Sequence, residues 1–214
     1  MSSTTEERTA RTAPDPAPAQ STPSFADPGP LGLAAFALTT FTLSLFNAGL
    51  APEALEPLVL PLALFYGGLA QFLAGMWEFR KANTFGATAF ASYGAFWLAF
   101  AAYVQFIEPE MEASGVTEAQ VTTATGIFLL GWAIFTLYML FASLRTTGAL
   151  VGVFATLFLT FALLAAGDLT GVDAIATAGG FVGLLSALIA WYASAAVVTN
   201  ATWGRTVLPV GPRS

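Results

Sequence analysis

The side chains able to do chemistry in this chain of 214 residues are few, and they sit inside long apolar runs. Phe36, Thr39, Thr40, Leu43, Ser44 and Asn47 recur at helical spacing and share one face, a semi-polar stripe. Thr88, Ser92, Phe96 and Tyr103 make a second such side, with Tyr93 about 60° from Phe96 on the helical wheel. Hydroxyls and amides are poor acids and nucleophiles. They can replace part of the hydration shell of a small solute, and in lipid such faces turn toward other helices or a water-filled path. Each Thr or Ser also has a purely structural use, bonding the carbonyl one turn back. Glu78 is the single acid inside an apolar run, close to its end beside Arg80 and Lys81. It reads either as an interfacial ion-pair partner or as a proton-coupling or gating carboxylate.

Other chemistry is excluded or unsupported. Without cysteine or histidine there is no thiol, the commonest metal ligand is missing, and so is the side chain that titrates near neutral pH. The only lysine, Lys81, lies in a turn, so a mid-membrane Schiff base has no amine and a retinal-type light-driven pump is excluded. No nucleotide loop, catalytic triad, cofactor motif or metal constellation occurs. We therefore expect no enzyme, no cofactor, no metal and no nucleic-acid partner.

Composition dictates the elements that must position these groups. The chain is 56% hydrophobic and 9% charged, against roughly one charged residue in four in soluble domains. It reads as an all-α integral membrane protein, with the lipid bilayer as its surroundings. A span needs about 20 apolar residues, and six such runs occur, at 31–50, 58–79, 86–107, 121–144, 147–167 and 174–198. They form one bundle over 30–200, preceded by a Pro-, Ala-, Thr- and Ser-rich tail at 1–29 that is too polar to fold alone and followed by a short tail at 201–214. Gly148-xxx-Gly152 and Gly179-xxx-Gly183 read as close-packing positions.

Six spans also sort the charges. Arg8, Arg11, Arg80, Lys81, Arg145, Arg205 and Arg213 all fall on one side, and the opposite connections carry only acids. Because basic residues orient loops, both termini are expected in the cytoplasm, with the bundle in the cytoplasmic membrane. Adding or removing one span would scatter the cations over both faces.

The strings FYGGLAQFLAGMWEFRKANTFGATAFASYGAFW, DPGPLGL and WGRTVLPVG resemble the acetate uptake transporter family, the succinate/acetate permeases of bacteria and their fungal and archaeal relatives. The likeness covers nearly all of 28–212 in the same order and spacing. It implies a six-span subunit, a homo-hexamer with one path per subunit, and passage of acetate, with succinate in some members, in a proton-linked or channel-like manner. The family's apolar constriction maps by motif onto Phe36 in DPGPLGLAAF, Tyr93 in TAFASYG and Leu157, four residues before FALLA. Phe36 and Tyr93 can also be nominated from the residues; Leu157 comes from the resemblance alone. The family's opening motif is usually Asn-Pro-Ala-Pro-Leu-Gly-Leu, and this chain has Asp27 and Gly29 at its first and third positions. Two roles stand open for Asp27. It can repel a carboxylate, or it can cap the helix.

The expectation is thus a path for acetate and related short-chain carboxylates, lined by Thr39, Thr40, Asn47, Thr88 and Ser92. It is gated by dewetting at Phe36, Tyr93 and Leu157, with Glu78 as a proton-coupling or cytoplasmic gate residue. Two alternatives remain from the residues: a path for a neutral solute or ammonium drawn in by the acidic loops, and a non-transporting scaffold or sensor whose polar stripe only packs helices.

Overall fold

Proline sets where the first helix starts. α1 (Gly29–Asn47) follows Pro28 directly and holds Pro30 in its first turn, where a missing N–H is no loss. Asp27 Oδ1 accepts the Gly29 N–H at 3.0 Å. This computed structural model describes residues 25–211, and everything in them that is regular is helical. α2 (Glu53–Arg80) opens as a tight turn containing Pro57 and widens at Phe65–Ala70 into a π-type turn around Gly67 and Gly68. α3 (Thr84–Ala113) starts where Asn83 Oδ1 accepts the Gly86 N–H at 3.1 Å, and it widens again at Tyr103–Ile107. α4 (Glu118–Ser143) begins with a reciprocal cap between Thr117 and Gln120. α5 (Gly148–Thr170) and α6 (Asp173–Trp203) both end on left-handed glycines, Gly171 at φ +68° and Gly204 at φ +62°.

All six helices are long and apolar enough to cross a membrane. α6 packs along α1 and α5, α5 along α4, and α2 along α3 and α1, so α1 and α6 join two three-helix groups. Large apolar side chains face outward, among them Phe65, Phe106 and Phe141, each at least 65% exposed. Such a surface suits acyl chains and would be a liability in water. Inside, Phe36, Tyr93, Phe96, Trp97, Phe154, Leu157 and Phe161 form a buried, largely aromatic core.

The helix ends differ from the apolar runs. α1 stops at Asn47 and not at 50, because Ala48, Gly49 and Leu50 turn back onto the carbonyls of Ser44, Phe46 and Leu45. The acidic stretch after residue 107 is not a loop: α3 continues through Glu108–Ala113 with Pro109 in a first-turn position. α6 runs to Trp203, so residues 201–203 are helix and not tail. In each extension the backbone ladder carries the helix past the end of the apolar run. Gly179 and Gly183 are tight, with Leu164 and Ser44 against them, whereas Gly152 has room for a Cβ beside Ile189 and Gly148 faces the carbonyls of Val210 and Gly211. The N-terminal tail up to residue 24, with Arg8 and Arg11, and residues 212–214, with Arg213, lie outside the described residues.

Residues 205–211 fold back as a strap. Asn200 Oδ1 accepts the N–H groups of Val207 and Leu208 at 2.7 and 3.0 Å, and its Nδ2 donates to Leu208 O at 2.8 Å. Tyr192 Oη donates to Pro209 O at 2.6 Å. The strap's carbonyls at Val210 and Gly211 accept from Ala149 and Gly148, meeting two N–H groups that the start of α5 would otherwise leave open.

Candidate functional site

Two cavities enter the bundle from opposite ends. The larger, about 960 Å³, lies between the end of α1, the start of α2, the end of α3, the start of α4 and the end of α5. Glu53, Glu56, Glu108 and Asp168 ring it, and no Lys or Arg among the described residues lines it. The smaller, about 200 Å³, lies between the start of α1, the end of α2, the starts of α3 and α5, and the end of α6. Its wall holds Asp27, Gln71, Glu78, Lys81 and Asn83, together with Val210 of the strap.

Phe36 and Leu157 belong to the walls of both cavities, and Tyr93 to the smaller. All three are at most 4% exposed. The Phe36 and Tyr93 rings are 6.1 Å apart, and Phe154 is 6.2 Å from Tyr93. Phe36 and Leu157 thus stand between the two cavities, with Tyr93 and Phe154 beside them in the wall of the smaller. Tyr93 brings a hydroxyl there, 2.9 Å from Thr136 Oγ1. Thr136 has one hydroxyl hydrogen and directs it to Trp132 O at 2.7 Å, so Tyr93 is the donor in that pair. Its proton therefore points into α4 and away from the cavities. Thr136 was not singled out in the sequence; its only mark there is a hydroxyl within an apolar run.

The polar stripe of α1 divides between two neighbours. Thr39 is fully buried, lines neither cavity, gives its hydroxyl to Ala35 O at 3.0 Å and packs against Gly67. Thr40, one residue on and 5% exposed, lines the large cavity, and its Oγ1 has no partner. Asn47 and Ser44 line the same cavity. Thr88 and Ser92 line neither, contrary to expectation. The α3 face toward the small cavity is Phe85, Gly86, Ala89, Phe90 and Tyr93. Ser92 lies about 100° and Thr88 about 140° away from Tyr93 on that helix.

Two further groups that sequence reasoning left without a role lie in the walls. Trp97, 2% exposed, lines the large cavity and Gln71, 1% exposed, the small one; the buried Nε1 of the first and Oε1 of the second have no partner. Buried polar atoms are nearly always paired, so three without a partner, all in residues that line the two cavities, are unusual. Glu78 is 2% exposed in the small cavity's wall, and its Oε2 accepts from Asn83 Nδ2 at 2.7 Å. The basic neighbours expected to pair with it go elsewhere: Lys81 Nζ reaches Asp27 Oδ1 at 2.9 Å, and the Arg80 guanidinium lies 5.1 Å from the centre of the Phe25 ring. Asp27 thus takes up the capping role at Gly29.

Comparison with known proteins follows the same geometry. Acetate permease A of Emericella nidulans is 45% identical over 196 residues, 87% of this chain and 66% of its own, so this chain spans about two thirds of that relative. Succinate-acetate/proton symporter SatP of Escherichia coli is 43% identical over 186 residues, 87% of this chain and 95% of its own. Among solved structures, that of the bacterial acetate channel SatP superposes with a TM-score of 0.79 at 42% identity, covering 88% of this chain and all of that one. A structural match at that identity and coverage identifies a multi-pass membrane protein of the transporter and channel class, not an enzyme. Residues 9–212 match the family model described as GPR1/FUN34/yaaH, and the chain belongs to the GPR1/FUN34/yaaH family.

Proposed function

We propose that this protein passes acetate and related short-chain carboxylates, succinate included, across the cytoplasmic membrane. In this reading the solute enters the large vestibule, crosses the constriction at Phe36, Tyr93 and Leu157, and leaves through the small cavity. The observation that carries it is a pair of polar atoms without a protein partner, Thr40 Oγ1 and Trp97 Nε1, in buried residues that line the large vestibule. An indole N–H only donates and a hydroxyl can, so both suit a carboxylate oxygen. Leaving such a group unpaired costs about 1–3 kcal/mol, which a passing anion or water recovers. With no cation in that wall among the described residues, the anion is held weakly enough to leave. The names of the relatives support the substrate class: one is an acetate permease, the other a succinate-acetate/proton symporter.

In the same reading both termini lie in the cytoplasm, supported by Arg80, Lys81, Arg145 and Arg205 falling at one end. The small cavity is then the cytoplasmic one, and Glu78 is its gate or proton-coupling carboxylate. The subunits assemble as a hexamer with one path each; the family resemblance supports the hexamer, and a constriction built from a single chain supports one path per subunit.

Labelled acetate uptake into proteoliposomes tests the proposal, with and without an imposed pH gradient. Protein-dependent, saturable uptake that succinate inhibits is expected, and the gradient arm separates proton-linked from channel-like passage. Absence of acetate and succinate flux at normal reconstitution density overturns it. One observation favours a second reading: four carboxylates ring the large vestibule, a surrounding that attracts ammonium. Ammonium flux without acetate flux would select it.

A further inference from the structure

Among the described residues, Lys81 is the one cation in the wall of either cavity. Its Nζ lies 2.9 Å from Asp27 Oδ1, and both residues line the small cavity. Asp27 is held from its other side as well, since the same oxygen accepts the Gly29 N–H at 3.0 Å at the start of α1. The buried acid beside them makes its side-chain hydrogen bond elsewhere, Glu78 Oε2 accepting from the Asn83 amide at 2.7 Å, and among the described residues the ammonium pairs with Asp27 alone. Lys81 and Asp27 side chains are 29% and 49% exposed. A pair so wetted contributes little to stability, and its partners exchange readily.

We propose that Asp27 is a specificity-determining residue: by occupying Lys81 it limits how strongly the small cavity holds carboxylates, and dicarboxylates most of all. The inference rests on the small cavity being part of the path. A free ammonium about 4 Å from a carboxylate in water raises its occupancy about fivefold, and a doubly charged anion gains more than a singly charged one. Asp27 removes that attraction and adds a negative charge at the mouth. The cavity then releases monocarboxylates quickly and holds dicarboxylates no better.

The test is a cycle of wild type, Asp27→Asn, Lys81→Met and the double variant in proteoliposomes, reading half-saturating concentrations for labelled succinate and acetate. Asn keeps the oxygen that accepts from Gly29, and Asp27→Ser, another good capping residue, serves if Asn folds poorly. The neutral variant is expected to lower the acetate value by up to about fivefold and the succinate value by more. That gain is expected to shrink as ionic strength rises and to vanish when Lys81→Met is added. An unchanged succinate-to-acetate ratio, or a gain that survives Lys81→Met, overturns the assignment. Wild-type flux with a null cycle sinks the role of Asp27 alone, whereas no wild-type flux of either anion sinks the path and this role with it.

Discussion

At the scale of single residues, cavity wall and core differ in what each side chain does with its hydrogen. Thr39 and Thr40 are adjacent and equally suited to a backbone bond, yet one spends its hydroxyl on Ala35 O, while Thr40, which lines the large vestibule, has a buried hydroxyl oxygen with no partner. Tyr93 directs its hydroxyl hydrogen to Thr136, so the proposed constriction would meet a solute with ring carbon from Phe36 and Tyr93 and methyls from Leu157. Leu157 is the simplest of the three to shorten because it has no polar partner to strand. Leu157→Ala in a packed core costs on the order of 2–5 kcal/mol of stability. If the constriction limits flux, the same truncation raises it. Acetate flux in proteoliposomes is expected to increase several-fold and to extend to larger monocarboxylates, while the thermal midpoint in detergent falls. A lower midpoint with unchanged flux and selectivity would assign Leu157 to packing only.

At the scale of elements, close backbone approach between α2 and α3 sets where Gln71, Glu78 and Tyr93 stand. A Cβ on Gly94 would lie 2.6 Å from Phe72 N and 2.7 Å from Phe72 Cα. Backbone cannot swing aside as a side-chain tip can, so even alanine forces the helices apart. Gly131 on α4 is the contrast, an exposed helical glycine with nothing within 4 Å of the added carbon. Gly94→Ala is expected to destabilise by about 1–3 kcal/mol through overpacking. Gly131→Ala is expected to gain about 0.5–1 kcal/mol from reduced backbone freedom in the unfolded chain. Thermal midpoints of the two purified variants check both signs. A loss at Gly131 would instead show another protein surface packed on that face of α4.

At the scale of the whole molecule, six helices were legible because a bilayer demands about 20 apolar residues per crossing and the chain supplies six such runs. Their ends were less legible, since Glu108–Ala113 and residues 201–203 continue the helical ladder beyond the uninterrupted apolar runs. Which face points inward was least legible. The spans are apolar nearly all round, so Thr88 and Ser92 looked as suited to a path as Thr40, yet they line neither cavity. The open donor on Trp97 and the acceptor role of Thr136 depend on neighbours distant in sequence. The sidedness of the bundle is the property that charge pattern argues most strongly, and the chain provides a clean way to check it. It has no cysteine, so any cysteine introduced is unique. Ala82, exposed in the α2–α3 turn beside Arg80 and Lys81, and Ser114, exposed after the acidic end of α3, lie at opposite ends of one helix. If basic turns are retained inside, Ser114→Cys in intact cells reacts with a membrane-impermeant maleimide and Ala82→Cys reacts only after the membrane is opened. The reverse pattern would place the acidic vestibule in the cytoplasm and make the cavity of Asp27, Glu78 and Lys81 the outer mouth. Labelling of both sites in intact cells would mean that the two connections share a side, which a single crossing of α3 does not permit.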